Sequence, residues 1–130
     1  MPPMYIYNYV LYLLASLAMM AVFSLIYTKI TPYDEIKMMR EGKTAAALSF
    51  LGALIGFSLT LASSILHNDS FIAFAAWAGA AMIVQLVVYA GLSRLIPDMH
   101  NSLESNNVAI GALLGGVSLT FGIINAACLS

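Results

Sequence analysis

Four stretches of this 130-residue chain contain no aspartate, glutamate, lysine or arginine: residues 1–28, 44–68, 70–93 and 105–130. Each is long enough for one helix across a bilayer, because about 20 apolar residues span the roughly 30 Å hydrocarbon layer. A membrane barrel would instead show segments of about ten residues with period-2 alternation. Runs such as Ala45-Ala46-Ala47-Leu48 and Val84-Gln85-Leu86-Val87-Val88 show none, so the pattern predicts four helices near 9–27, 45–66, 71–96 and 108–129. Composition agrees. The chain is 62% hydrophobic and 8% charged, against roughly 45 to 50% and about 25% in a soluble domain. Fold class is therefore all-α, as one four-helix transmembrane domain over 1–130 in the bilayer. The first run has no cation before Lys29, so it reads as a retained span rather than a signal peptide.

All five cations fall in two connections: Lys29, Lys37, Arg40 and Lys43 after the first span, and Arg94 at the end of the third. The positive-inside rule then puts both connections in the cytoplasm and both termini outside. Tyr5, Tyr7, Tyr9, Tyr12 and Trp77 read as anchors at the outer interface. Net charge is −1, which implies no nucleic-acid partner.

The first cytoplasmic connection carries helix signals. Thr31, Pro32 and Asp34 read as an N-cap, a first-turn proline and an N3 acid, and Gly42 as a terminator. The spacing predicts a short interfacial helix with Ile36, Met39 and Lys43 on one side. Beyond Pro97, a second one over 98–104 would turn Met99 and Leu103 toward lipid. The two connections suggest an internal repeat of two-helix units with parallel halves. A shift of 64 pairs Asp34 with Asp98, Gly52 with Gly116 and Phe57 with Phe121, whereas a shift of 59 pairs Gly52-Ala53-Leu54-Ile55-Gly56 with Gly111-Ala112-Leu113-Leu114-Gly115. The register stays open between them.

In the second span Ala45, Ser49, Gly52, Gly56, Thr60 and Ser63 recur at helical spacing, and in the fourth Gly111, Gly115, Ser118, Gly122 and Asn125 do the same. Small residues let helix backbones approach closely where lipid supplies no hydrophobic drive. These stripes read first as packing seams, at least one of them available to a second copy of the chain. The alternative is the lining of a polar path. Gln85, near the middle of the third span, must find a partner and is expected to face the bundle. It too is a packing or pore-lining candidate, as is Asn125. The acids and bases of the cytoplasmic side, Asp34, Glu35, Arg40, Glu41, Lys43, Asp98, His100 and Glu104, form a charged surface that could meet a cytoplasmic protein, with Asn107 beside them. His67 and His100 lie on opposite sides, and no zinc spacing, P-loop, GxSxG or dinucleotide fingerprint occurs. We therefore expect no enzyme, no metal and no cofactor. The sole cysteine, Cys128, reads as an inert buried thiol.

The chain resembles the YjfL family of small bacterial inner-membrane proteins, a domain-of-unknown-function family, over nearly its whole length. The residues carrying the likeness are Thr31-Pro32-Tyr33-Asp34-Glu35, the Arg40-Glu41-Gly42 turn leading into Ala45-Ala46-Ala47, the Gly52/Gly56 pair, Trp77 with Gln85, and Asn125-Ala126-Ala127-Cys128. The family pattern favours asparagine after the glycine of that turn, where this chain has Lys43, while Asn107 stands at the corresponding place in the second half. The resemblance implies a four-helix inner-membrane protein and supplies no activity, substrate or cofactor. Together these observations predict a self-associating, noncatalytic module of the cell envelope, with an oligomeric ion or solute channel as the alternative.

Overall fold

A computed structural model describes residues 3–30, 35–95 and 99–129, which form helices joined by short connections. The element order is α1 (Pro3–Ile30), α2 (Glu35–Arg40), α3 (Thr44–His67), α4 (Phe71–Leu95), α5 (Met99–Glu104) and α6 (Val108–Cys128). Four are long and apolar enough to cross a membrane, over Ile6–Lys29, Thr44–His67, Phe71–Leu92 and Val108–Cys128. They coincide with the four uncharged runs, because a backbone in hydrocarbon must satisfy its polar groups internally and a helix does so within one segment. The Thr31-Pro32 cap, Asp34, Pro97 and Asp98 lie outside the described residues, as do the side chains of Tyr5, Glu35, Met99, His100 and Glu104.

α3 is the central element. Half of its span is buried, against 6% of α1's. It runs parallel to α6 along its length, with Ala45 beside Gly111 and Gly56 beside Gly122. α1 joins them through aromatic rings: Phe23 stacks on Phe57 with centroids 4.7 Å apart, and Tyr27 contacts Phe50 and Tyr89 at 5.2 and 4.2 Å. At the other end of α1, Tyr12 packs on Phe71 and Phe74. It is thus half-buried, whereas Tyr7, Tyr9 and Trp77 are exposed as interfacial anchors would be.

The two connections close in the same way. After α2, the amide of Gly42 donates to Met39 O and that of Lys43 to Met38 O, both at 3.0 Å. After α5, Asn106 donates to Leu103 O at 3.1 Å and Asn107 to Ser102 O at 2.8 Å. This pair of bonds is the Schellman ending, which needs a left-handed residue at its turn. Gly42 supplies it at φ +80° and Asn106 at φ +60°. The matching turn residues lie 64 positions apart, as do Lys43 and Asn107, the extended caps of α3 and α6.

One side-chain expectation is corrected here. Leu103 does not turn toward lipid; it is fully buried, and Met38 of α2 is buried as well. Both join the hydrophobic core, because each short helix is folded back on the long helix that follows it by the tight turn between them. Ile36, by contrast, is half exposed.

Candidate functional site

The glycines of the two stripes meet each other inside one chain. A methyl group on Gly111 would strike the backbone of Ala45, on Gly115 that of Leu48, on Gly52 that of Gly115, and on Gly122 that of Gly56. All five glycines singled out from the sequence therefore sit where two backbones touch, Gly56 as the neighbour of Gly122. Hydroxyls add hydrogen bonds along the same line. The Thr60 Oγ1 hydroxyl is placed to donate to Gly56 O in its own helix at 3.0 Å and to Gly122 O on α6 at 3.2 Å. Ser63 Oγ donates to Ala126 O at 2.6 Å. In hydrocarbon such bonds contribute about 0.6 to 2 kcal/mol each.

α4 is held to α6 by two amides working in opposite directions. Gln85 Nε2 on α4 donates to Ser118 O on α6 at 2.8 Å, and Asn125 Nδ2 on α6 donates to Ala81 O on α4 at 3.2 Å. The fifth glycine makes room for the first of these. A Cβ at Gly56 would lie 2.8 Å from Gln85 Nε2 and 2.9 Å from Ser118 O, so the amide reaches α6 across a position that only glycine leaves open. Gln85 and Ser118 are each 2% exposed, and Gln85 Oε1 and Ser118 Oγ have no hydrogen-bond partner.

Three further polar contacts belong to the same frame, and of their residues Tyr27, Ser64, Phe74 and Asn106 were not singled out from the sequence. Tyr27 Oη and Ser49 Oγ lie 2.9 Å apart between α1 and α3. Ser64 Oγ donates to Phe74 O at 3.1 Å between α3 and α4. Asn106 Oδ1 accepts from the amide of Ala45 at 2.9 Å, so a residue of the second connection caps the helix that follows the first. The signal for Asn106 was the asparagine pair ahead of a span, a turn residue followed by a cap. Tyr27 carried the weaker signal of standing four residues after Phe23, on the same helix face.

On the side assigned to the cytoplasm, Arg40 and Glu41 are exposed at the end of α2 and Lys43 is half-buried as the cap of α3. Asn107 is exposed and its Oδ1 accepts from the amide of Ile110 at 3.4 Å. Among the described residues no three His, Cys, Asp or Glu side chains converge as a metal would need. At the opposite end, His67 Nδ1 lies 2.9 Å from Ser63 O of its own helix. Cys128 departs from expectation: its thiol is free and exposed, because it stands at the last position of α6, beyond the seam. It lines a recess of about 210 Å³ with Asn68, Trp77 and Leu129.

A family model described as Domain of Unknown Function (DUF350) matches residues 3–129. Two curated relatives, both called UPF0719 inner membrane protein YjfL, come from Escherichia coli strain K12 and Escherichia coli O157:H7. Each is 36% identical over 119 residues, which cover 92% of this chain and 90% of the relative. No solved structure matches the chain.

Proposed function

This chain belongs to the DUF350 family, and from that premise we propose that it is a noncatalytic inner-membrane module that self-associates in the bilayer and presents its α2 and α5 side to a cytoplasmic protein. The relatives' printed name supports the inner-membrane location. The observation that carries the packing role concerns the seven candidates in the spans. Gly52, Gly56, Gly111, Gly115, Gly122, Gln85 and Asn125 are all turned against another helix of the same chain. A residue committed to a backbone contact or an interhelical bond is not free to replace the hydration shell of a passing ion.

The module reads as two parallel halves, α1–α3 and α4–α6, in register at 64 residues. Support comes from the paired turns at Gly42 and Asn106 and the paired caps at Lys43 and Asn107. A shift of 59 would bring neither pair together. α2 and α5 then lie at the cytoplasmic interface, and the five-to-zero cation bias puts both termini outside.

Self-association uses what the seam leaves over. Beside Gly116 nothing stands within 4 Å of a Cβ position, and Gly116 borders an open apolar groove of about 220 Å³ with Leu51, Gly52, Ile55, Ala112 and Leu119. A small-residue groove facing lipid is where another helix can approach closely. The test is the mass of the protein in nanodiscs loaded at varied ratios. We expect a multiple of the 13.9 kDa chain, reduced toward one copy by Gly116→Leu. Wild type that stays at one copy overturns self-association, and an ion leak from wild-type liposomes above empty controls overturns the packing role in favour of conduction.

A further inference from the structure

Ser118 sits at the midpoint of α6, ten residues from Val108 and ten from Cys128. At 1.5 Å rise per residue it lies about 15 Å from either helix end, at the centre of the hydrocarbon layer. Its hydroxyl, like that of Ser16 on α1, lacks the partner that most hydroxyls in the spans have. Ser24, Thr28, Ser58, Thr60 and Thr120 each donate to a carbonyl three or four residues back in their own helix, the ordinary resting place of a helical hydroxyl. Ser118 Oγ does not, although it is buried. Gln85 Oε1, on the residue already bonded to Ser118 O, is the other buried oxygen without a partner at this junction. Two orphaned oxygens on two bonded residues mark one place rather than two, and buried polar atoms in proteins are satisfied by protein or by ordered water in nearly all cases.

We propose that Gln85 Oε1 and Ser118 Oγ together bind a single water molecule between α4 and α6 at the membrane midplane. The donor balance specifies the ligand. Gln85 Oε1 can only accept, so the bound molecule donates to it. The Ser118 hydroxyl is free to donate, so the same molecule accepts from it. Water does both and is small enough for a helix junction. A cation satisfies neither the Ser118 proton nor the site's composition, because the Gln85 amide protons point to the same junction through Nε2, and residues 70–93 and 105–130 hold no carboxylate side chain. The water is a fixed bridge, held from α4 by Gln85 and from α6 by Ser118. It stands whether or not copies of the chain associate.

Gln85 is the only glutamine in the sequence, so labelling glutamine side chains with nitrogen-15 reports on this amide alone. In deuterated protein in lipid nanodiscs, we expect its Nε2 protons to show a cross-peak to water with the sign of a molecule held longer than nanoseconds. Ser118→Ala should abolish that cross-peak, while Ser49→Ala, which removes a buried hydroxyl bonded to Tyr27 instead, should leave it unchanged. If Ser118→Ala fails to fold, Ser118→Cys takes its place and should weaken the cross-peak, since a thiol is a poor donor of similar size. Absence of the cross-peak in wild type overturns the proposal, because the Ser118 hydroxyl would then be turned onto its own helix or directly onto the amide. So does a cross-peak that survives loss of the hydroxyl, which is the behaviour of a wet path.

Discussion

Gly42 and Asn106 perform the same backbone task with different side chains, and the difference can be measured. Gly42 has no atom within 4 Å of a Cβ position, so Gly42→Ala tests only the left-handed conformation, at about 1 to 2 kcal/mol. Asn106 already bears that conformation and also caps α3 through Ala45. Asn106→Gly relieves the backbone and loses the cap, which is worth about 0.5 to 2 kcal/mol, so thermal unfolding should show a small net loss. Asn106→Ala loses the cap and keeps the strain, and should be the less stable of the two; equal stability of the two would mean that the left-handed backbone carries no strain. Gln85→Leu removes one interhelical bond and should cost about 0.6 to 2 kcal/mol, without unfolding the bundle. The need for Gln85 to face inward was legible in the sequence, since a primary amide in hydrocarbon must find a partner. Its partner was not legible, because a backbone carbonyl of Ser118 carries no side-chain signature.

Among the helices, the periodic small residues announced which face of α3 and of α6 would allow close approach, but periodicity is silent about what approaches. The faces turn out to meet one another, which requires the two helices to run parallel, and that direction follows from the number of crossings between them rather than from either stripe. Glycines paired by a 64-residue shift make the point testable. Gly52 and Gly116 correspond in sequence, yet a Cβ at Gly52 meets the backbone of Gly115 while one at Gly116 meets nothing. Gly52→Ala must push two backbones apart and should cost about 1 to 3 kcal/mol. Gly116→Ala should be neutral or stabilise by up to about 1 kcal/mol, the ordinary helix preference for alanine over glycine. A thermal-shift comparison of the two single variants at one copy per nanodisc decides it: if Gly116→Ala is there as damaging as Gly52→Ala, the in-chain seam is wrong. The same glycines explain why the repeat register was ambiguous. α6 holds Gly111, Gly115 and Gly116, so Gly52 pairs with Gly111 at a shift of 59 and with Gly116 at a shift of 64, and the turns favour 64.

For the molecule as a whole, four crossings place both chain ends on one side, and the proposed orientation rests on charge. The parallel pair α3 and α6 starts on the same face as the cations Lys37, Arg40 and Lys43. Moving four or five cations across the membrane opposes the rule that retains lysine and arginine in the cytoplasm, so inverting this bundle would oppose every one of them at once. No opposing cation stands in the 67–70 turn or near either terminus. Cys128 turns this into a measurement on the unaltered chain, because it is the only cysteine and its thiol is exposed at the end of α6. A membrane-impermeant maleimide added to intact spheroplasts should label Cys128 as fully as it does after lysis, and Cys128→Ser should remove the label in both. Asn68 and Trp77 line the same recess, so Trp77→Ala, which widens it, should speed labelling from outside without changing its sidedness. Labelling that appears only after lysis would place α6's end, and with it the N-terminus of α1, in the cytoplasm, and would require the two cation-rich connections to face outward against their charge.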